Sequence, residues 1–459
     1  MNIKSKSNMR NVFFYLAMIL LLASCGNSGN GELIGVQDRP RFYQPDPYGT
    51  IFIPLGSYTM GGADQDIFYA NVYQSKTVSV ESFYMDETEI TNNEYRQFVY
   101  WVRDSIAHTR LGEGGIADHL IDQDDNGEPI DPPIINWKTD IEWDAPENKE
   151  ALEDMYLPEH ERFYRRKEID SRKLNYLYYW IDLQAAAQKD YTQPANSQNA
   201  SMMNRPQGLK DRSVYIRKEI INVYPDTLSW IHDFTYSFNE PMTKSYFWHP
   251  VYDNYPVVGV SWKQAKAFCN WRTMQMNSFL ESNGETSVND FRLPNETEWE
   301  WAARGGAALS PYPWGGPYIR NSNGCFLGNY KPLRGNYVDD GGIRTVVVAH
   351  YAPNDFGLYD MAGNVSEWCA DAFDESAYNF AHDMNMYYSY DAKDNENAVQ
   401  KRKVVRGGSW KDIGYYMSVV ARQYEYQDTC KCYVGFRCVQ SYLGRKKGDS
   451  PKTESNVYN

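Results

Sequence analysis

In Phe356-Gly-Leu-Tyr-Asp-Met-Ala-Gly-Asn-Val-Ser-Glu-Trp368, an amide (Asn364) and a carboxylate (Glu367) follow a glycine turn beside a tryptophan. These two side chains, with the Val365 carbonyl between them, are hard oxygen ligands of the kind calcium prefers. Gly357 and Gly363 sit where the backbone needs positive φ or a close approach. The same residues also suit an Asx-turn with a surface carboxylate and no ligand. Nothing else in the chain has metal spacing. The seven His are scattered without an HExxH, and the Cys show no CxxC…CxxC pattern. Apart from Cys25, the thiols are Cys269, Cys325, Cys369, Cys430, Cys432 and Cys438, which in an exported protein would be able to pair.

The elements that must position this motif are short. Thr50 to Gly62 reads as a hairpin around a Gly-Ser turn, and Thr77 to Met85 as a further strand. Three helices open with capping boxes: Thr91 with Glu94, Ser261 with Gln264, and Asn295 with Glu298, the last stopped by Gly305-Gly306. After Gly306, turn clusters replace regular structure until strands resume at Lys403 to Trp410, and the body closes at Tyr433 to Val439.

Between about Asp104 and Trp248 lies an insert too long to be a structureless loop. Asp122 to Glu150 is acidic and Pro-rich, Pro158 to Lys189 is expected to be helical, and Tyr215 to Trp248 is dense in aromatics. Those aromatics serve either an interface or the insert's own core. Because capped helices flank it, the body is expected to survive deletion of about 110–240.

The ends differ from the body. Lys4, Lys6 and Arg10 precede an apolar run, Val12 to Leu22, too short to span a bilayer. Residues 1–24 read as a lipoprotein signal peptide ending in the lipobox-like Leu22-Ala-Ser-Cys25, with Cys25 as the lipidated residue; an ordinary secretory signal is the alternative. Residues 25–45 form a tether, 46–442 the domain, and 443–459 a disordered tail. Without residues 1–24 the chain carries 43 Lys and Arg against 60 Asp and Glu, a formal charge of −17. Such a chain is a poor partner for nucleic acid or an anionic lipid surface.

Taken in order, the hairpin, Glu89 to Tyr95, Pro256 to Trp262, Arg292 to Arg304, Gly357 to Trp368, Arg406 to Trp410 and Gly435 to Cys438 resemble the formylglycine-generating enzyme (sulfatase-modifying factor) family. The resemblance implies one mixed α+β domain with little regular secondary structure, related to C-type lectins. It implies structural calcium at Asn364, Val365 and Glu367, and a looser second site at Asn329, Tyr330, Asp340 and Gly342. Active members hold copper(I) on two cysteines after the Arg-Gly-Gly-Ser strand; here those positions are Asp412 and Met417, which cannot replace thiolates. The implication is a protein without copper and without oxidase chemistry. With its lipobox and insert, the chain is similar to the gliding-motility ring lipoproteins of type IX secretion and to a longer paralogue in the same system. That likeness implies a lipid-anchored ring subunit on the periplasmic face of the outer membrane, self-associating beside a partner protein and a transmembrane motor. The alternatives are a residual oxidase and a peptide- or glycan-binding module.

Overall fold

The computed structural model describes residues 42–62, 74–187 (without 117 and 125), 212–332 (without 238), 336, 338 and 342–444. Cys25, the signal segment and most of the tail and tether lie outside them. Among the described residues no helix is long and apolar enough to cross a membrane. Met1–Tyr43 and Gln44–Asn459 are separate units, and only the second is described at length. Gln44 already belongs to the body: it is buried and donates to Gln440 Oε1 at 3.0 Å.

Two four-stranded sheets carry the architecture. One has the order β1 (Thr50–Ile53), β4 (Phe83–Asp86), β14 (Val439–Ser441), β9 (Phe291–Arg292). The other runs β12 (Gln423–Tyr426), β11 (Arg402–Arg406), β10 (Ser366–Ala372), β13 (Val434–Gly435). Three ribbons complete the set: β2 (Gly56–Met60) with β3 (Lys76–Val80), β5 (Leu120–Gln123) with β6 (Pro129–Ile135), and β7 (Asn175–Ile181) with β8 (Ile216–Asn222). The mixed, sparsely regular domain is as expected.

The expected hairpin at Thr50 to Gly62 is not formed. β1 pairs with β4, and β2 pairs with β3, so the two strands enter different sheets. Pro54 separates them, and Gly56 lies so close to Trp301 that a Cβ there would meet the indole at 2.4 Å. Thr77 to Met85 divides in the same way, its first half pairing in the β2–β3 ribbon and its second in the sheet of β1.

All three capped helices form: α1 (Asn92–Glu113), α2 (Trp262–Ser282) and α3 (Glu296–Arg304), each with a reciprocal capping box. Gly305 ends α3 in the left-handed region at φ 59°, a conformation glycine takes without a Cβ penalty. α1 and α2 meet across one core, where Tyr95 stacks on Phe268 at 5.6 Å. α3 enters a second core through Trp299.

The insert differs from its sequence reading in two respects. Its middle is not one helix: three 3₁₀ turns lead into β7, in which Tyr176 and Tyr178 alternate inward while Leu177 and Tyr179 face out, and only Leu183–Ala187 is α-helical. Aromatic alternation with period two, rather than a 3.6 period, decides that stretch. Nor is the insert separable. α1 runs through Asp104 to Glu113, and Tyr176, Tyr178, Val223 and Phe247 lie in the core of α1 and α2. Tyr95 donates to Val223 O at 3.0 Å, and Gln264 Nε2 donates to the Asn222 and Tyr224 carbonyls. Removing 110–240 would take Tyr176, Tyr178 and Val223 out of that core, so the deletion is expected to destabilise the body.

Candidate functional site

The glycine motif lies between α3 and β10. Asn354 accepts from the Phe356 and Leu358 amides and ties the turn to the α3 carbonyls of Ala302 and Ala303. Gly363 (φ 88°) must be glycine: a Cβ there would stand 2.5 Å from the Asn329 carbonyl oxygen. Asn364 follows in the left-handed region (φ 60°) and donates its amide N–H to that carbonyl at 2.9 Å.

Both side chains expected to bind calcium have protein partners. Asn364 Oδ1 accepts from Val346 N at 2.9 Å, and its Nδ2 donates to Glu89 Oε2 at 2.6 Å. Glu367 accepts twice from Arg437, at 2.6 and 2.8 Å, and once from Trp299 Nε1 at 2.7 Å. A cation on Glu367 would have to displace a fully buried guanidinium. Val365 spends its amide on Glu89 Oε1 at 3.1 Å. At the looser second site, Asn329 donates to Arg344 O at 2.6 Å, Gly342 packs against Asn329, and Tyr330 is a buried ring against Phe326; Asp340 lies outside the described residues.

What the motif leaves open is one residue the spacing argument passed over. Asp360, 7% exposed, accepts from Ala349 N through Oδ2, while its Oδ1 is buried with no donor. Burial, with Glu367 adding to it, pushes the Asp360 carboxyl up to about 6. Burial, then Asp360 and Glu367, drives the Glu89 carboxyl well above the ordinary range. Three buried carboxylates thus share one guanidinium, Arg437. That charge excess and the orphaned oxygen fit a hard cation, although the side-chain donor set first expected does not. Among the described residues no three Asp, Glu, His or Cys side chains converge as a metal centre. Glu89 and Arg437 escaped the sequence reading as site residues, because their only signal was membership of other motifs; Glu89 lies 275 positions from Asn364.

The second region is the turn after β11. Asp412 accepts from Ser409 N at 3.0 Å and Ser409 Oγ at 2.6 Å, closing that turn on itself. Burial raises its carboxyl above the usual value. Met417 is fully buried and packs with Phe326, Tyr330 and Ala362. Beside Asp412 opens a cleft of about 500 Å³, lined among others by Lys411, Arg422, Tyr424, Glu425 and Tyr433.

Of the six thiols in the body, one pair meets in space, without a disulfide. Cys269 and Cys438 are buried with their sulfurs 3.5 Å apart, whereas Cys432 contacts Asp233 and Cys430 contacts Gln264.

The family model for the sulfatase-modifying factor enzyme 1-like domain matches residues 37–442. An inactive C-alpha-formylglycine-generating enzyme 2 from Bos taurus is 33% identical over 201 residues, covering 42% of this chain and 53% of its own. A formylglycine-generating enzyme from Streptomyces coelicolor is also 33% identical, over 191 residues, 40% of this chain and 52% of its own. The chain therefore spans about half the length of the curated relatives it matches, and these include both inactive and active proteins. The solved structure of PvdO from Pseudomonas aeruginosa superposes with a TM-score of 0.42 at 16% identity, covering 88% of this chain and 99% of PvdO. The match across residues 37–442 makes the chain a member of the sulfatase-modifying factor enzyme 1-like domain family.

Proposed function

We propose that this chain is a non-catalytic member of the family. In this reading it is an outer-membrane lipoprotein, anchored through Cys25 on the periplasmic face, and a ring subunit of the type IX secretion and gliding machinery. It contacts a partner protein and a transmembrane motor. One observation carries the non-catalytic part: Asp412 is spent closing its own turn and Met417 is buried in the core, where copper(I) needs two thiolates. Calcium, in this reading, is structural and sits at Asp360 beside Glu89.

A copper(I) titration with an oxygen-consumption assay tests the first part, with no stoichiometric binding and no turnover expected. Copper-dependent oxygen uptake would overturn it. Electron microscopy of the detergent-extracted protein tests the second part, with particles of many copies expected. Cys25→Ser tests the anchor: normal fractionation of that variant would remove the lipoprotein reading. The cleft beside Asp412 favours one further reading, a peptide- or glycan-binding module, which predicts a monomer that retains peptides or oligosaccharides.

A further inference from the structure

The insert carries two exposed surfaces of opposite charge, and a single copy satisfies neither. The first is a loop tip. Its base is closed by Leu157 N donating to Glu168 O at 2.9 Å and by a bridge between Tyr156 and Ile169. Arg162 and Lys167, on either side of the tip, both reach Glu153, so their charges are spent. Beyond them stand Phe163, 71% exposed, and Tyr164, 85% exposed. Arg165 and Arg166 are exposed as well, and pair with no carboxylate among the described residues. Tyr164 and Arg165 hold this display in the left-handed region, at φ 51° and 57°, which side-chain-bearing residues rarely adopt.

The second surface is the β5–β6 ribbon. Ile121 and Ile134 face each other across it, 40% and 55% exposed. The same ribbon and its turn carry Asp122, Glu128 and Asp131, all exposed and unpaired with Lys or Arg among the described residues.

The two surfaces match in kind. One places aromatic rings beside free guanidiniums; the other carries aliphatic side chains and free carboxylates on one ribbon. On a chain of net charge −14, a basic exposed tip is the exception, and an acidic face is what it complements. Tyr, Phe and Arg are also the residues that interfaces enrich. Since both surfaces are exposed on the same copy, the complement each needs is offered by a second copy.

We infer that copies of this chain associate head to tail, the Phe163–Arg166 tip of one seating on the β5–β6 ribbon of the next. This rests on the ring-subunit reading and specifies its contact. The two halves of the contact are different surfaces, so it is heterologous and repeats into a ring where the rotation closes, or a filament where it does not.

The test uses the full-length lipoprotein in detergent, sized by mass photometry at low and high salt. Three variants are compared with the parent: Arg165→Glu with Arg166→Glu, then Asp122→Lys with Glu128→Lys and Asp131→Lys, then all five together. The substituted residues are exposed, so unchanged melting curves establish that the variants fold. Each half-reversal is expected to weaken self-association by about tenfold or more, with the full swap restoring it, because charge pairing sets partner choice. Half-reversals that assemble like the parent would overturn the inference, as would folded half-reversals that the full swap does not rescue. Loss of binding to phosphatidylglycerol vesicles with unchanged assembly would assign the tip to a membrane instead, and also overturn it. A monomeric parent protein would refute the ring reading itself, an outcome distinct from failure of the tip alone.

Discussion

Two clusters of buried charge lie on either side of Trp299, and they are built differently. In the first, Glu296 and Glu300 of α3 face Arg304, Arg406 and Arg422. Arg304 and Arg406 hold Glu300, which also accepts from Gly61 N, while Arg422 grips Glu296 through two bonds. Burial raises the Glu296 carboxyl, but Arg422 and Arg406 outweigh it and hold the group below its usual value. In the second, Glu89, Asp360 and Glu367 share one buried guanidinium, that of Arg437, and two of the three carboxyls are pushed up. The first cluster is charge-compensated and pins α3 to β11. The second is under-compensated and keeps one oxygen without a donor. A buried network that neutralises itself is scaffold; one that does not has room for a ligand.

The sharpest way to break this comparison is to remove a cation from the compensated side. Arg406→Leu leaves Glu300 buried and half-paired, and frees the Val420 and Ala421 carbonyls that Arg406 also caps. Breaking a buried pair from one side costs about 3–5 kcal/mol. Urea unfolding at pH 7 measures it. A loss well under 1 kcal/mol would mean that α3 is held by apolar packing and the cluster is incidental.

The under-compensated side predicts the opposite sign. Asp360 has a folded-state value of about 6 against an ordinary 3.8, so the folded protein holds the extra proton between those values. Its contribution to stability is therefore greatest below the ordinary value and falls as pH rises through about 6. At neutral pH the uncompensated charge costs on the order of 3 kcal/mol, since each tenfold change in proton affinity is worth ~1.4 kcal/mol. Asp371, pushed to about 7 chiefly by burial and then by Glu296, adds a slope of the same sign, so the informative quantity is a difference between variants. With chelator present, Asp360→Asn should melt above the parent at pH 7.5, and the gain should vanish near pH 4. Calcium should raise the parent's melting temperature at pH 7.5 and leave the variant unmoved. A parent curve indifferent to both chelator and calcium would show that the pocket stays empty of cations.

Much of this was legible along the chain, and the failures share a cause. The three capping boxes were readable because each signal closes within four residues. Strand partners were not: a period-two pattern is the same whether the partner is next in sequence or hundreds of residues away, as with β4 and β14. That is why Thr50 to Gly62 looked like a hairpin. In the site, Gly363 and Asn364 were read correctly as the turn, since a left-handed pair after glycine is a local property. The allocation of Glu367 to Arg437 was hidden, because it depends on which residue folding brings to the carboxylate. Asp360 stood in the motif throughout, and only the lack of a donor distinguishes it.

The smallest predicted effect asks what positions the under-compensated pocket. Glu89 lies two residues before Thr91, the N-cap of α1, so either the helix start or the neighbouring backbone places its carboxylate. Thr91 Oγ1 accepts from Glu94 N at 3.3 Å, and Glu94 Oε2 accepts in return from Thr91 N at 2.8 Å. Ile90, between them, is held independently: its N–H donates to Phe436 O at 3.0 Å and its carbonyl accepts from Val257 N at 2.8 Å. Those two bonds join segments from distant parts of the chain and do not involve the cap. Thr91→Ala should therefore cost about 1 kcal/mol, the ordinary value for a lost N-cap. It should leave the Asp360-dependent pH difference intact, because Glu89 stays where Ile90 is pinned. Thermal melts of Thr91→Ala with and without Asp360→Asn, at pH 5 and 7.5, measure both quantities together. If the cap variant also flattened the pH difference, α1 rather than the Ile90 backbone would set the geometry of the acidic pocket, and the pocket would be coupled to the helix that leads into the insert.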